Sequence, residues 1–414
     1  MKTEEKTLNH PCFNCGASGN ARIHLPVAPK CNIQCNYCVR KFDCITESRP
    51  GVASAVLSPS DAALRYSEVK KDMPNLTVAG IAGPGDALAN FEEVRETLCR
   101  VRGLDPDVTF CLSTNGLMLP IYANDLIELG VSHVTVTVNT VYAQTGAKIY
   151  DTVTYLGRTY HGSEGAGILL ENQLSGIRAL SEKGVVVKVN TVLLKGINET
   201  EITEIMQTIK ECGCTIANVM QLIPVRGSKF EYMELVSNFD LNRIRKECAG
   251  ILPQMYHCRQ CRADAVGTLG NDVSFKFGCG AKSQRQERPI SKARRRFAVC
   301  SKDGSLINQH FGHAERFFVY DYIDGQVRFV EARAVEKYCH GPEQDEEDQK
   351  LFEMVKTIDD CDTLLCMRIG SRPLHILAEK GIRVVTTYNR IEDGLREAAE
   401  DDHPDWTAKT AAEC

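Results

Sequence analysis

The sequence predicts an α/β protein: a (β/α) barrel or part-barrel followed by a smaller α/β unit. Three observations predict it. From about residue 55 to 225, short β-branched runs alternate with helical patterns, as in a parallel sheet with crossover helices. Near 281–296 the alternation stops in "AKSQRQERPISKARRR", which carries seven Lys or Arg against one Glu. Strand-like runs then resume over about 105 residues, enough for an independent core.

The elements read in order. An N-terminal extension and a cysteine-bearing loop occupy 1–55. The barrel, 56–280, has strand candidates "LTVAGIA" (76–82), "VTFCLS" (108–113), "HVTVTV" (133–138), "GVVVKVNTV" (184–192) and "NVMQLIP" (218–224). Between them lie helices such as "SPSDAALRYSEVKKD", with a Ser58 cap and Pro59 in its first turn, and "ETEITEIMQTIKECG", closed by Gly213. A basic linker covers 281–295. The second unit, 296–402, holds the strands "RFAVCS", "RFFVYDY" and "QVRFVEA", an acidic surface stretch "EQDEEDQK" and a further α/β portion ending near "REAAEDD". Residues 403–414 form a loose tail in which Cys414 is inert.

Composition narrows the function classes. The 414 residues are 43% hydrophobic and 25% charged, with net charge −5, as in an ordinary globular protein of two or three domains. No run approaches the ~18 apolar residues of a membrane span, and "MKTEEKTLNHPC" lacks the apolar core of a signal peptide. The expectation is a cytoplasmic protein with no membrane partner. The basic linker is short and lacks interleaved aromatics, so no nucleic acid is expected either.

In a reducing compartment the nineteen cysteines point to metal binding or catalysis rather than disulfides. Cys99, Cys248, Cys300 and Cys366 sit in apolar stretches and read as small buried hydrophobes. "APKCNIQCNYCVRKFDC" is different. Cys31-x3-Cys35-x2-Cys38 offers three thiolates on one loop, enough for three irons of a four-iron cubane with the fourth iron open. A closed ferredoxin-type cluster using Cys44, or a zinc site, are the other uses of such a run. Cys12-x2-Cys15, His24, Cys44, Cys111 and Cys258-x2-Cys261 are scattered in sequence, but a barrel can gather strand ends and extensions at one mouth. They would hold one or two further clusters there; a structural zinc on Cys12, Cys15, Cys258 and Cys261 is the alternative, and would leave His24, Cys44 and Cys111 idle.

The spacing Cys31-x3-Cys35-x2-Cys38, with Tyr37 before the last cysteine, resembles the signature of radical S-adenosylmethionine (SAM) enzymes. That superfamily folds as a partial (β/α) barrel and cleaves SAM at the open iron to a 5′-deoxyadenosyl radical. "AGIAGPGD", with Gly83, Gly85 and Asp86, resembles its glycine-rich turn against the methionyl amine. Ser113 and Asn115 of "STNG", and Asn139 and Asn190 of the two "VNT" strings, are further candidates to hold SAM. Helix capping or turn formation is the plainer role for each.

Longer blocks narrow the resemblance. "HPCF", "ARIHLPVAPKCNIQCNYCVRKFDC", "ESRPGV", "GIAGPGDALAN", "STNGL" and "CRQCRADAVG" resemble, in order over 9–280, the NifB family of nitrogenase cofactor maturases. The resemblance implies a 4Fe-4S SAM-cluster on Cys31, Cys35 and Cys38, with SAM as cosubstrate. It implies two further 4Fe-4S substrate clusters held by Cys12, His24, Cys44, Cys111, Cys258 and Cys261, with His24, Cys44 and Cys111 serving the nearer one. Glu47 of "ESRPG" would be a proton acceptor or cluster neighbour. After "HPC" the family pattern carries acidic and histidine positions where this chain has "FNCGASGN"; Cys15 therefore stays open between ligand and bystander.

The implied reaction fuses the two cubanes, inserts a SAM-derived carbide and an added sulfur, and yields the eight-iron precursor of the nitrogenase iron-molybdenum cofactor. Implied partners are iron–sulfur cluster donor proteins and downstream cofactor assembly or carrier proteins. "FAVCSKDGSLINQHFGHAERFFVYD" resembles a NifX-like cofactor-carrier domain of ribonuclease H-like type, with His310 and His313 as contacts and Cys339 and His340 as weaker ones. The alternatives are a radical SAM enzyme with auxiliary clusters acting on a peptide or small molecule, and a non-catalytic iron–sulfur scaffold.

Overall fold

The structure, a computed structural model, describes residues 2–39, 49–225, 227–269, 271–277, 294–302, 304, 306–323, 326–336 and 344–400. Cys44, Glu47, Cys339, His340 and the tail fall outside the described residues, as does most of the basic run. The chain divides into two units, the first ending at Phe277 and the second carrying the strands from Arg295 onward.

In the first unit, helix α1 (Thr3–Leu8) is followed by two short strands, β1 (Ala21–His24) and β2 (Ile33–Cys35). Alternation then sets in with α2 (Pro59–Asp72), β3 (Leu76–Ile81), α3 (Phe91–Leu104), β4 (Thr109–Thr114), α4 (Leu119–Glu128) and β5 (Val131–Thr137). Helix α5 (Ala143–Ile149) precedes the hairpin of β6 (Tyr150–Tyr155) and β7 (Arg158–Tyr160). The series resumes with α6 (Gly162–Ser181), β8 (Val186–Leu193), α7 (Ile202–Glu211), β9 (Ile216–Gln221) and α8 (Asn238–Ala249), and ends with β10 (Val266–Thr268) and β11 (Asn271–Asp272).

Strands β1, β3, β4, β5, β8 and β9 stand side by side in that order, all parallel, which is a partial (β/α) barrel. Strands β10 and β11 extend the β1 edge in antiparallel fashion, and β2 pairs instead with β6. Local chemistry accounts for the elements. Ser58 Oγ accepts the Asp61 N–H at 3.2 Å and Pro59 opens α2, as the sequence predicts. Six of seven β5 residues are buried, because helices cover one face and the barrel interior the other.

His133, wholly buried on β5, ties α1 to the sheet. Its Nε2 lies 2.9 Å from Thr7 Oγ1 and its Nδ1 2.9 Å from Ser132 Oγ. Burial, aided by Lys188, lowers its pKa to about 3. The folded ring therefore stays neutral while the unfolded one takes a proton near pH 6.5, and stability is lost as pH falls from 6.5 towards 3. Between pH 7 and pH 5 this amounts to roughly 2 kcal/mol. In urea unfolding of metal-free protein, His133→Gln should flatten the pH dependence by about that amount; an unchanged slope would refute the assignment.

The second unit comprises β12 (Arg295–Cys300), β13 (Arg316–Ile323), β14 (Gln326–Ala334), α9 (Gln344–Lys356), β15 (Thr363–Cys366), α10 (Ser371–Glu379), β16 (Arg383–Thr386) and α11 (Ile391–Glu400). Its sheet runs β14-β13-β12-β15-β16, antiparallel on one side of β12 and parallel on the other. Alternate β12 residues serve opposite faces. Phe297 and Val299 pack with Ile391 and Leu395 of α11, whereas Ala298 and Cys300 pack with Leu351 and Met354 of α9 and Leu377 of α10.

Most of "EQDEEDQK" forms the start of α9. Two local expectations need correction. Arg294 and Arg296 ion-pair with Asp321 at 2.6 and 2.8 Å, so the end of the basic run is anchored to this sheet. Cys248, Cys300 and Cys366 are buried as expected, but Cys99 is exposed on α3. Among the described residues no helix is long and apolar enough to cross a membrane.

Candidate functional site

Backbone and side-chain amide bonds shape the three-cysteine loop. Gln34 Nε2 donates to the carbonyls of Cys35 (3.0 Å) and Cys38 (2.9 Å), and the Cys38 N–H returns to the Cys35 carbonyl at 3.1 Å. Asn36 donates through its side chain to the Lys148 carbonyl and through its backbone to that of Ile149. Cys31, Cys35 and Cys38 are all half-buried. Cys31 and Cys38 line a cavity of about 540 Å³ with Asn32, Gln34, Thr152 and Thr154.

The glycine-rich turn after β3 fixes the approach to Cys31. Gly85 N–H donates to Ala28 O at 2.6 Å and Asp86 N–H to Lys30 O at 2.8 Å. Asn90 closes the clamp, donating to Lys30 O and accepting from Lys30 N. A Cβ on Gly85 would lie 2.2 Å from Lys30 O, so only glycine admits this approach. Asp86 is buried and accepts from Leu88 N, Thr114 Oγ1 and Asn115 N; burial raises its pKa against those bonds. Its carboxylate thereby locks the turn to the end of β4.

The other strand-end candidates differ in how far they are already engaged. Ser113 is half-buried on β4. Asn115 Nδ2 donates to Asn32 Oδ1 at 2.6 Å and lies 3.8 Å from Cys31 Sγ, which places it on the cysteine loop. Asn139 is fully buried, donating to Tyr37 Oη at 2.9 Å and accepting from Val192 N. Asn190 Oδ1 accepts from Asn218 Nδ2 at 3.1 Å, and the register sets Thr137, Asn190 and Asn218 abreast on β5, β8 and β9.

A second group assembles from the sheet register. His24, Gly80 and Cys111 occupy one row across β1, β3 and β4. A Cβ at Gly80 would meet Cys111 Sγ at 2.9 Å and His24 Nε2 at 3.7 Å, so the glycine leaves the space those two groups share. His24 Nδ1 donates to Arg262 O at 2.8 Å, which leaves the Nε2 lone pair facing that space. Burial, reinforced by Arg22, holds the ring pKa down to about 4 and keeps it neutral, as a metal ligand must be.

The Cys12-x2-Cys15 and Cys258-x2-Cys261 strings contribute unequally. His257 Nε2 donates to Pro11 O at 3.0 Å, joining the segment of Cys258 to that of Cys12. Cys12 lies close enough to Cys258 and Cys261 for their thiols to interact electrostatically, and Cys111 lies likewise to Cys12. Burial pushes the Cys12 thiol up to about 11 and the Cys111 thiol up to about 12, so iron would have to displace their protons. Cys15 opens a 3-10 turn, with Asn14 Oδ1 accepting from Gly16 N. Among the described residues no three His, Cys, Asp or Glu side chains converge tightly enough for one bare ion. Ligands that ring a cluster rather than an ion stand farther apart.

Comparison with known proteins accords with this geometry. Residues 25–209 match the radical SAM superfamily and residues 294–401 the family described as dinitrogenase iron-molybdenum cofactor. The chain is 40% identical to "FeMo cofactor biosynthesis protein NifB" of Sinorhizobium fredii, covering 93% of this chain and 85% of that protein. It is 40% identical to the protein of that name from Klebsiella pneumoniae (91% and 87% covered) and 39% to that from Chlorobaculum tepidum (94% and 91%). The chain belongs to the NifB family. Its radical SAM region carries the 4Fe-4S cluster and SAM chemistry of that superfamily.

Several residues of this NifB-family site escaped the sequence reading. Asn90 sits inside the quoted block "GIAGPGDALAN", and its clamp on Lys30 was the available signal. Arg22 and Lys188 carry no spacing signal at all; only folding brings them beside the cysteines. In the second unit His310 is buried, and burial lowers its pKa to about 3. Its Nδ1 accepts from Gly312 N at 3.1 Å and its ring lies 5.0 Å from that of His313.

Proposed function

We propose that the chain is a radical SAM maturase that fuses two 4Fe-4S clusters around a SAM-derived carbide, with an added sulfur, to make the eight-iron precursor of the nitrogenase iron-molybdenum cofactor. The observation that carries this is the gathering of His24, Cys111, Cys12, Cys258 and Cys261 inside the unit that bears the Cys31–Cys38 loop. A radical SAM enzyme that needed only its own cluster would have no use for a second set of thiols and a neutral imidazole there. The relatives' printed name, a FeMo cofactor biosynthesis protein, supports the same reading.

Cys31, Cys35 and Cys38 would hold the SAM-cluster, which supplies one-electron reductive cleavage of SAM. The residues fit it: three half-buried thiols on a loop shaped by the Gln34 and Asn36 amides and by backbone bonds. Gly83, Gly85 and the Asn115 amide would orient SAM; Ser113, Asn139 and Asn190 stand at the neighbouring strand ends. Asp86 would hold the turn rather than touch SAM. One substrate cubane would lie on His24 and Cys111, joined by Cys44, and the other on Cys12, Cys258 and Cys261, with Glu47 as a nearby proton acceptor. A neutral imidazole is a more readily released ligand than a thiolate, which suits a cluster that must be given up to fusion. Cys15 would be a bystander to both.

The second unit would hold cofactor precursor, with His310 and His313 as contacts. Cluster donors and downstream cofactor assembly or carrier proteins would be the partners, in the cytoplasm. The domain limits remain our reading, 1–55, 56–280, 281–295, 296–402 and a tail, with Arg294 and Arg295 at the linker's end already engaged on the second sheet. The test uses anaerobic protein reconstituted with iron and sulfide, given SAM and dithionite. Both S-adenosylhomocysteine and 5′-deoxyadenosine should form, and only when the further clusters are loaded. 5′-Deoxyadenosine alone would return the chain to the ordinary radical SAM enzymes; neither product would leave a scaffold.

A further inference from the structure

Two cations lie buried beside the cysteines, and neither belongs to the ligand set. Arg22 of β1 is 1% exposed and Lys188 of β8 is 6% exposed. Arg22 divides its guanidinium between two tasks. Its Nη1 donates to Thr268 O at 3.0 Å and also to Gly267 O, pinning β10 to β1. Its Nη2 donates to Cys261 Sγ at 3.1 Å, and its buried Nε has no partner among the described residues. Asp272, the carboxylate nearest to it, is 3.9 Å away and a quarter exposed. Lys188 Nζ lies 3.4 Å from Cys12 O, 3.7 Å from Met255 Sδ and 4.6 Å from the Phe13 ring centre, with no carboxylate in contact among the described residues.

Buried charge of one sign is costly unless an opposite charge joins it. Within the fold only the partly exposed Asp272 stands near Arg22, which leaves most of this buried positive charge for a ligand to balance. A cubane held by three thiolates brings net negative charge to this place. We propose that Arg22 and Lys188 are the built-in countercharge of the cluster held by Cys12, Cys258 and Cys261, and that they raise its reduction potential. This rests on the cluster-binding reading above. Hydrogen bonds to ligand sulfur and nearby positive charge favour the reduced, more negative state. Arg22 supplies both and Lys188 the charge alone. Both are positioning and tuning residues, since neither has to touch a reacting atom.

The test uses the full chain carrying Cys31→Ala, Cys35→Ala, Cys38→Ala and Cys111→Ala, reconstituted anaerobically with iron and sulfide. Cys12, Cys258 and Cys261 then dominate the cluster signal in an EPR-monitored redox titration. Adding Lys188→Met or Arg22→Gln should leave a cluster in place and move its midpoint to more negative potential, with the pair moving it further. Arg22→Lys, which keeps the charge and loses the fork, should fall between. An unmoved midpoint with full iron loading would overturn the proposal while sparing the cluster reading. Failure of the four-alanine background to load any cluster would sink that reading and this one together. Should Arg22→Gln lose its fold by circular dichroism, because Nη1 also pins β10, the Lys188→Met midpoint alone decides.

Discussion

Cys35→Ala should abolish 5′-deoxyadenosine formation while leaving the fold intact. Loss of one thiolate from a three-thiolate loop removes a ligand outright, so the effect should exceed the roughly 10–100-fold that loss of an outer-shell partner costs. The fold should survive because Cys35 is tied in through backbone. Its carbonyl accepts from Gln34 Nε2 and from Cys38 N, and Ile33–Cys35 pairs with β6. Alanine keeps all of that. The measurement is product formation by chromatography beside thermal unfolding. Activity within tenfold of the parent protein would show that the loop's thiols do not carry the chemistry; a collapsed melting temperature would show that they are structural.

The second large effect is expected from Gly85→Ala. The added methyl would sit 2.2 Å from Lys30 O, 2.6 Å from Lys30 C and 2.7 Å from Pro29 O, all backbone atoms with no rotamer to escape into. Strand or loop must move, breaking the Gly85–Ala28 and Asp86–Lys30 bonds that set the entry to Cys31. Overpacking of this kind costs on the order of 3 kcal/mol. SAM cleavage should fall with it, since Cys31 lies one residue beyond the displaced carbonyl. Gly103→Ala is the control: nothing lies within 4 Å of its Cβ on α3, and helix propensity there favours alanine by about 0.5–1 kcal/mol. Denaturant midpoints moving oppositely for the two variants would bear out the argument; equal midpoints would refute it.

Much of the fold was legible in sequence because parallel strands buried on both faces read as continuous apolar runs. "HVTVTV" and "GVVVKVNTV" lie within one or two residues of β5 and β8. Strands β1 and β2 were not legible. Four and three residues are too few to show a period, and β1 owes its place to pairing with β3 and β10. The Cys31–Cys38 loop was legible because its chemistry is local in sequence. The row of His24, Gly80 and Cys111 was not, since register between strands dozens of residues apart leaves no mark in spacing. Asp86 shows the converse: its place in the glycine-rich turn marked it as a SAM contact, yet its carboxylate is taken up by Thr114 and Asn115. Cys99 misled because its apolar neighbours turn inward from α3 while it faces out.

The bond between His257 and Pro11 spans 246 positions of the chain. A ribosome making this protein therefore releases the Cys31–Cys38 loop early, but the Cys12 segment cannot join that of Cys258 and Cys261 until the latter has emerged and β10 has docked on β1. Long-range closure of this kind is slow and comes late in folding. A nascent or truncated chain would present the Cys31–Cys38 loop without the paired Cys12 and Cys258 segments. Completion of the barrel is thus a checkpoint that those two segments pass only when the whole first unit exists.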